Sequence, residues 1–292
     1  MVVSYVFKVV SPTPVLVDFF SGFLVRGIFF FLLKSVDPEA ATAIHDQRTL
    51  SPYSTSPLET VDRREIFYGV VNPGMVVRFR ITALRNSLAD MLSRFFVGPS
   101  SPVVRLRDVS VRVAEVAVES FDQTQLNVGE ESRYEVLFRT PTFFRNTQKE
   151  PGILRLLPRR LRRLSRPVKP VYRYVILPDP YLFFRNLARL YRQFCSPNFP
   201  YKSYCEWLLD GGVALETYRD LQVYKIYDSD GRWYRGFVGR AVFTVPKDLY
   251  DKKMARITRQ LLEFSRFSNV GGNRTAGFGV VRYRVLKGVR DE

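Results

Sequence analysis

The chain has 292 residues, 46% of them hydrophobic, and a formal charge of +17 at pH 7. That length suits one large domain or two of ordinary size, and the hydrophobic share excludes wholesale disorder. Arginine supplies 35 of the 45 basic residues, which points to a polyanionic partner, because guanidinium groups fork onto phosphate and stack on bases.

In chain order, Val2 to Val10 reads as a strand, and the Ser-Pro-Thr-Pro turn at 11–14 follows. A helix is expected from about Phe19 to Lys34. Asp37-Pro38 supplies an N-cap and a first-turn proline for a short second helix ending at His45-Asp46. Ser51 to Leu58 is proline-punctuated and extended. Val76 to Ile81 alternates, with Arg78 and Arg80 on one face. A helix from about Leu84 buries Leu84, Leu88, Leu92 and Phe95, and Val103 to Glu119 is rich in strand formers. Strand, helix, strands, helix, strand is the split βαβ order of ferredoxin-like folds.

A polar stretch at 122–132 marks a domain boundary, and the order then repeats. Arg133 to Arg139 alternates as a strand with Tyr134, Val136 and Phe138 on one face. Asp179-Pro180 caps a helix with Phe183, Leu187, Leu190 and Phe194 inward and Arg185, Arg189 and Arg192 on other faces. Strands are expected around 213–227 and 233–245 with a turn at Asp228 to Gly231. Asp248 is expected to cap a helix striped by Tyr250, Met254, Ile257, Leu261 and Phe264. The expectation is an α+β protein of two tandem ferredoxin-like (RRM-like) domains, 1–124 and 125–292. The arginine-dense segment 155–173 reads equally as a solvated block or as a basic arm that steers RNA.

The most apolar run, Phe23 to Leu33, covers eleven residues and contains Arg26, too short to span a bilayer. The chain opens directly on a strand-like segment with no charged-then-apolar leader. No membrane association and a cytoplasmic location are expected. Cys195 and Cys205 are the only cysteines; they form no disulfide framework and read as buried thiols, able to pair only if the fold brings them together. With one histidine in the chain, no His-rich metal centre is available, and no metal or cofactor is expected.

The stretch Ser268 to Gly279 has four glycines in nine residues, Gly271, Gly272, Gly277 and Gly279. Such a turn can reach positive φ and offer successive free N–H groups to phosphate, with Arg274 as a fixed charge beside it. It lacks the P-loop ending and follows a helix, so it is neither standard nucleotide motif. By itself a glycine-rich turn near a C-terminus is more often a tight connection than a site. Arg282 and Arg284 follow on the last strand, and Phe183, Tyr191 and Tyr283 interleave with the arginines as candidates for stacking on unpaired bases.

The ordered set Ile44-His45-Asp46, Ser56-Pro57-Leu58, Phe79 to Leu84, Leu137 to Thr142 and Asn269 to Gly279 resembles the CRISPR-associated RAMP endoribonucleases that cut precursor CRISPR RNA inside its repeats. The resemblance covers almost the whole chain. It implies two ferredoxin-like domains, metal-independent cleavage leaving a 2′,3′-cyclic phosphate and a 5′-hydroxyl, and a glycine loop that helps grip the RNA backbone. Family members pair the histidine with a tyrosine fifteen residues before it and a lysine six after; here those positions are Phe30 and Ser51. The family's first loop glycine falls on Asn269, a residue that tolerates the left-handed region.

Histidine suits the proton steps of transesterification, since its ordinary pKa of about 6.5 lies near neutrality. His45 is therefore the expected acid–base residue. Arg48, three residues on, and Arg26, on the helix face of Phe30, are the candidates to stabilise phosphorane charge, with ordinary phosphate contact or solvated charge the commoner reading of such arginines; an arginine supplies field and not proton transfer. Tyr53 is a further candidate that reads first as a packing residue. The RNA-binding set is Asn269, Gly271, Gly272, Asn273, Arg274, Gly277, Gly279, Arg185, Arg189, Arg192, Arg282 and Arg284. The expected partner is CRISPR repeat RNA, with other effector-complex subunits as further partners and monomer or homodimer both open. The rival expectation is a non-cleaving repeat-RNA-binding subunit of such a complex, favoured by Phe30 and Ser51; a third is a general ribonucleoprotein component.

Overall fold

The computed structural model describes residues 1–47, 49–96, 103–121, 132–147 and 172–286. The first unit runs β1 (Val2–Val10), β2 (Val15–Val17), α1 (Ser21–Val36), α2 (Pro38–His45), β3 (Tyr53–Thr55), β4 (Leu58–Thr60), β5 (Glu65–Ile66), β6 (Gly69–Val71), β7 (Val76–Ala83), α3 (Asn86–Arg94), β8 (Val103–Leu106) and β9 (Val109–Phe121). Its main sheet has the order β5-β4-β7-β1-β9-β8, with β3 also on β7. All its pairings are antiparallel. The second unit runs β10 (Arg133–Thr142), β11 (Phe144–Thr147), β12 (Tyr172–Val175), α4 (Pro180–Phe194), α5 (Tyr201–Leu209), β13 (Ala214–Tyr227), β14 (Trp233–Thr244), α6 (Lys252–Ser268) and β15 (Val281–Leu286), with sheet order β13-β14-β10-β15. In each unit the first strand lies between the last strand and the third, as a split βαβ connection requires. These are tandem ferredoxin-like folds.

The period of two along β1 sorts its side chains. Val3, Tyr5, Phe7 and Val9 join the core under α1 and α3, while Ser4 bonds Thr82 on the opposite face. Val2 enters the second unit's core, where Leu84, Phe121 and Phe267 also pack. On β7 the same alternation buries Val77, Phe79 and Ile81 beside those core residues and leaves Arg78 and Arg80 on the other face. In the second unit Tyr134, Val136 and Phe138 are buried beneath α4 and α6, as their spacing predicts.

Some elements differ from expectation. Asp251, not Asp248, caps α6: its carboxylate accepts from the Met254 N–H at 2.8 Å, whereas Asp248 sits in a 3-10 turn at Lys247–Leu249. Tyr250 consequently precedes the helix and is exposed. Leu84 precedes α3 and packs in the second core, and Phe95 and Phe194 are half-buried at helix ends. Helix α5 and the ribbons β2–β6 and β11–β12 have no counterpart in the sequence reading. Cys195 and Cys205 are free and half-buried. Most of the expected boundary at 122–132, and residues 155–171 of the arginine-dense segment, lie outside the described residues. No described helix is long and apolar enough to cross a membrane.

Candidate functional site

Asp37 and Pro38 determine where His45 falls. The Asp37 carboxylate accepts from the Ala40 N–H at 2.9 Å, and Pro38 takes the first helical position with its preset φ. Helix α2 ends at His45, whose side chain is 71% exposed. Its Nδ1 lies 3.1 Å from Asp46 Oδ1, and its ring meets Phe30 edge-on at 5.3 Å. A carboxylate on Nδ1 orients the imidazole and leaves Nε2 as the acceptor. Phe30, Lys34, Ala41, Thr42 and His45 line a shallow groove between α1 and α2. Lys34 was missed in the sequence, yet it is one turn beyond Phe30 and so on the same helix face. Arg26 is displaced from this groove: its guanidinium covers the Phe23 ring at 5.0 Å and acts on Tyr53 and Tyr234. Arg48 lies outside the described residues.

Tyr53 is a packing residue. It is buried and stacks on Phe29 with ring centroids 3.8 Å apart. Burial pushes its hydroxyl up to about 12 against the opposing pull of Arg26, Thr275 and Arg274.

The glycine loop is wedged between the two units, and its donors are largely used there. The Gly271 N–H donates to Asn186 Oδ1 on α4 at 2.9 Å. Those of Gly272 and Gly279 donate to the Phe143 and Pro141 carbonyls at 2.9 and 3.2 Å. The expected run of free N–H groups is therefore corrected at these three positions. Asn269 is fully buried, its amide nitrogen donating to the Thr55 carbonyl at 2.7 Å and its oxygen accepting from Arg80. Arg274 is 6% exposed and donates to the Ser268 and Ser51 carbonyls at 2.9 and 3.2 Å. The charge expected to project from the loop is turned inward. Gly277 and Gly279 are also buried; only Gly271, Gly272, Asn273 and Thr275 are partly open.

Helix α4 flanks the loop through Asn186 and Arg189, the latter near enough to act on Arg274. Arg185 covers the Tyr181 ring at 5.6 Å and Arg192 covers Tyr201 at 5.7 Å. The aromatics expected to stack on bases are otherwise employed: Phe183 and Tyr191 are core residues, and Tyr283 is half-buried against Arg259 and Glu263.

A second cationic surface lies where the open faces of the two sheets meet. Arg63, Arg78, Arg80, Arg139, Arg266 and Arg282 line it, together with Glu59 and Glu119. The Arg78 Nε is buried with no hydrogen-bond partner among the described residues. Burial pulls the Arg282 guanidinium down, and Arg139 and Arg63 add to that. Arg284, two residues on and so on the same face of β15, is held by Glu135 at 2.7 Å. The expected RNA-binding residues thus fall into two groups, with Arg282 and Arg284 on β15 apart from the loop and α4. Among the described residues no three His, Cys, Asp or Glu side chains converge as a metal site would require.

A family model described as CRISPR-associated endoribonuclease Cas6 matches residues 136–281, half of the chain. The chain belongs to the Cas6 family. Its class is CRISPR RNA-processing endoribonuclease. Thermus thermophilus Cas6 (TTHB231), solved as a product complex, is similar with a TM-score of 0.72 at 22% identity, over 97% of this chain and 100% of that one. The product of a Cas6-related gene from Pyrococcus furiosus gives 0.60 at 11% identity, over 98% and 99%. A structure described as a RAMP protein binding different RNA substrates gives 0.56 at 11%, over 98% and 100%. At such identities these structures speak for the fold, and the family match carries the enzyme class. No curated protein sequence matches the chain.

Proposed function

We propose that this Cas6 protein cleaves precursor CRISPR RNA within its repeat, in the cytoplasm, by metal-independent attack of a 2′-hydroxyl on the adjacent phosphorus. The observation that carries this reading is the exposed His45 imidazole, steadied by Asp46 in a groove it shares with Lys34. His45 Nε2 takes the 2′-hydroxyl proton as the oxygen bonds to phosphorus. The 5′-oxygen leaves and is protonated by water, so the products carry a 2′,3′-cyclic phosphate and a 5′-hydroxyl. Charge building on the phosphorane is met by the Lys34 ammonium. Arg26, turned onto Phe23 outside the groove, contributes only longer-range field, and Arg48 is assigned the charge-stabilising role from its place in the sequence.

Repeat RNA is the substrate in this reading. The partly open surface at Gly271, Gly272 and Asn273 lets the strand pass close to the loop, the Gly271 and Gly272 N–H groups being already engaged, and Arg185, Arg189 and Arg192 line the neighbouring helix. Arg78 and Arg282 hold a more distant stretch of the strand. Incubation of the protein with repeat RNA in EDTA tests the proposal. Site-specific cuts with cyclic phosphate ends, lost in His45→Ala, are expected. A shifted but intact RNA would instead favour a binding subunit, the reading that Phe30 and Ser51 suggest.

A further inference from the structure

The hairpin of β13 and β14 is fixed from beneath and open above. On the lower face Ile226 is fully buried among Phe20, Phe23 and Phe278. The Phe20 N–H donates to the Tyr227 carbonyl at 3.0 Å, and the Tyr227 N–H donates to the Tyr68 hydroxyl at 3.0 Å. At the turn the Asp228 carboxylate accepts from the Asp230 and Arg232 N–H groups and from the Tyr234 hydroxyl. The hairpin is therefore rigidly held against the first unit.

The upper face carries Lys225, Tyr227, Trp233 and Arg235. Tyr227 lies directly across from Trp233, and Lys225 across from Arg235. Trp233 is 53% exposed and Tyr227 40%. Lys225 Nζ is 5.0 Å from the Tyr227 ring centre and 5.3 Å from that of Trp233, and Arg235 Cζ is 5.2 Å from Trp233. Folding does not account for this set. Like charges directly opposed across a pair of strands destabilise it, and an indole left in water forgoes its burial. The neighbouring carboxylates do not neutralise it: Asp228 is committed to the turn, and Asp230 lies 3.6 Å from Arg232.

Rings that can stack, next to two cations that repel each other, fit a planar group attached to a phosphate. We propose that Trp233 and Tyr227, with Lys225 and Arg235, form a stacking platform for an unpaired nucleotide of the RNA. The base lies on the exposed rings, and its phosphate is taken by the ammonium and guanidinium groups. The location suits the substrate strand. Beneath the platform Tyr234 meets Phe23 at 5.9 Å, and Phe30, beside His45, is seven residues further along α1, about 10 Å at 1.5 Å per residue. The inference rests on the reading of the protein as an RNA-handling enzyme, and its test separates the two.

The chain has two tryptophans, and the other, Trp207, is partly buried with its indole N–H on the Leu249 carbonyl at 3.0 Å. Fluorescence therefore reports on Trp233 once Trp233→Phe is subtracted. A short oligoadenylate is expected to quench this emission, while an abasic ribose-phosphate oligomer of equal length binds without quenching. Trp233→Ala is expected to weaken oligoadenylate binding roughly 5- to 150-fold, leave the abasic oligomer unaffected and keep the wild-type melting temperature. Arg235→Gln should weaken both oligomers. Wild-type oligoadenylate affinity in Trp233→Ala, or binding without quenching, overturns the platform alone. So does a loss of self-association in Trp233→Ala with RNA binding intact, which marks a protein-docking face. Failure of the wild-type protein to bind either oligomer overturns the RNA reading as well.

Discussion

Arg274 donates to the Ser51 carbonyl oxygen at 3.2 Å, joining the glycine loop to the segment that follows His45. Its second bond, to Ser268 at 2.9 Å, closes the loop on the end of α6. Arg274→Ala should therefore act on stability before it acts on RNA. The buried Ser268 carbonyl and the partly buried Ser51 carbonyl lose a charged donor, at up to about 1–3 kcal/mol for a buried group left unsatisfied. A thermal melt that drops by several degrees is expected. An unchanged melt with weakened RNA binding would return Arg274 to the role of a phosphate contact.

His45→Ala should lower the single-turnover cleavage rate roughly 10²- to 10⁴-fold with RNA affinity largely kept. Lys34→Gln should lower the rate less, because it removes charge stabilisation and leaves the base in place. Rates equal to wild type in both variants would remove the α1–α2 groove from the reaction.

Much of this was legible in the sequence where local physics decides. Asp37-Pro38 placed the start of α2, the helix that carries His45 at its end, because a cap and a first-turn proline act within a few residues. Alternation along β7 correctly separated Val77, Phe79 and Ile81 from Arg78 and Arg80. The glycine loop was not legible in the same way. Whether its N–H groups face a ligand or Asn186, Phe143 and Pro141 depends on residues more than eighty positions away. Asp248 and Asp251 are equivalent as caps until the 3-10 turn at Lys247–Leu249 claims the first of them. Trp233 and Tyr227 lie on paired strands where aromatics usually mean core, and only the packing of Ile226 beneath shows which face remained open.

Gly279 has φ +66°, and a Cβ there would stand 1.8 Å from the Val270 carbonyl oxygen. Gly279→Ala combines left-handed strain with a backbone clash, so a loss well above about 1 kcal/mol is expected. Gly74→Ala, at φ +75° with open space around it, should cost much less. Equal melting temperatures for the two variants would show that the loop is not the tight joint described.

Binding of repeat RNA should weaken steeply with salt, since each phosphate neutralised adds about 0.7 to 0.9 to the slope of log K against log salt. Arg78→Ala, which removes a cation whose Nε has no hydrogen-bond partner among the described residues, should reduce that slope by roughly one phosphate's share. Titrations at several salt concentrations measure it. A lower affinity with an unchanged slope would mean that Arg78 acts through packing and not through a phosphate.

Glu135 offers a test by acid. Burial pushes its carboxyl up, but the hydrogen bonds and charges of Arg219 and Arg284 outweigh this and hold it below the ordinary carboxylate value. Arg219 holds Oε1 and Arg284 holds Oε2, and Arg240 stands 3.6 Å from Oε2 as well. A carboxyl more acidic in the folded than in the unfolded chain binds fewer protons when folded. Its contribution is complete above the unfolded value, about 4.3 for glutamate, and is lost as pH falls through the folded value. Melts across the acid range should show this decline. Glu135→Gln should be less stable than wild type at pH 7, where Arg219, Arg240 and Arg284 lose their counter-charge, and should approach wild type as the pH drops below 4. A stability gap that stays constant with pH would assign the effect to lost hydrogen bonds and leave the carboxylate's charge without a part in holding β10, β13, β14 and β15 together.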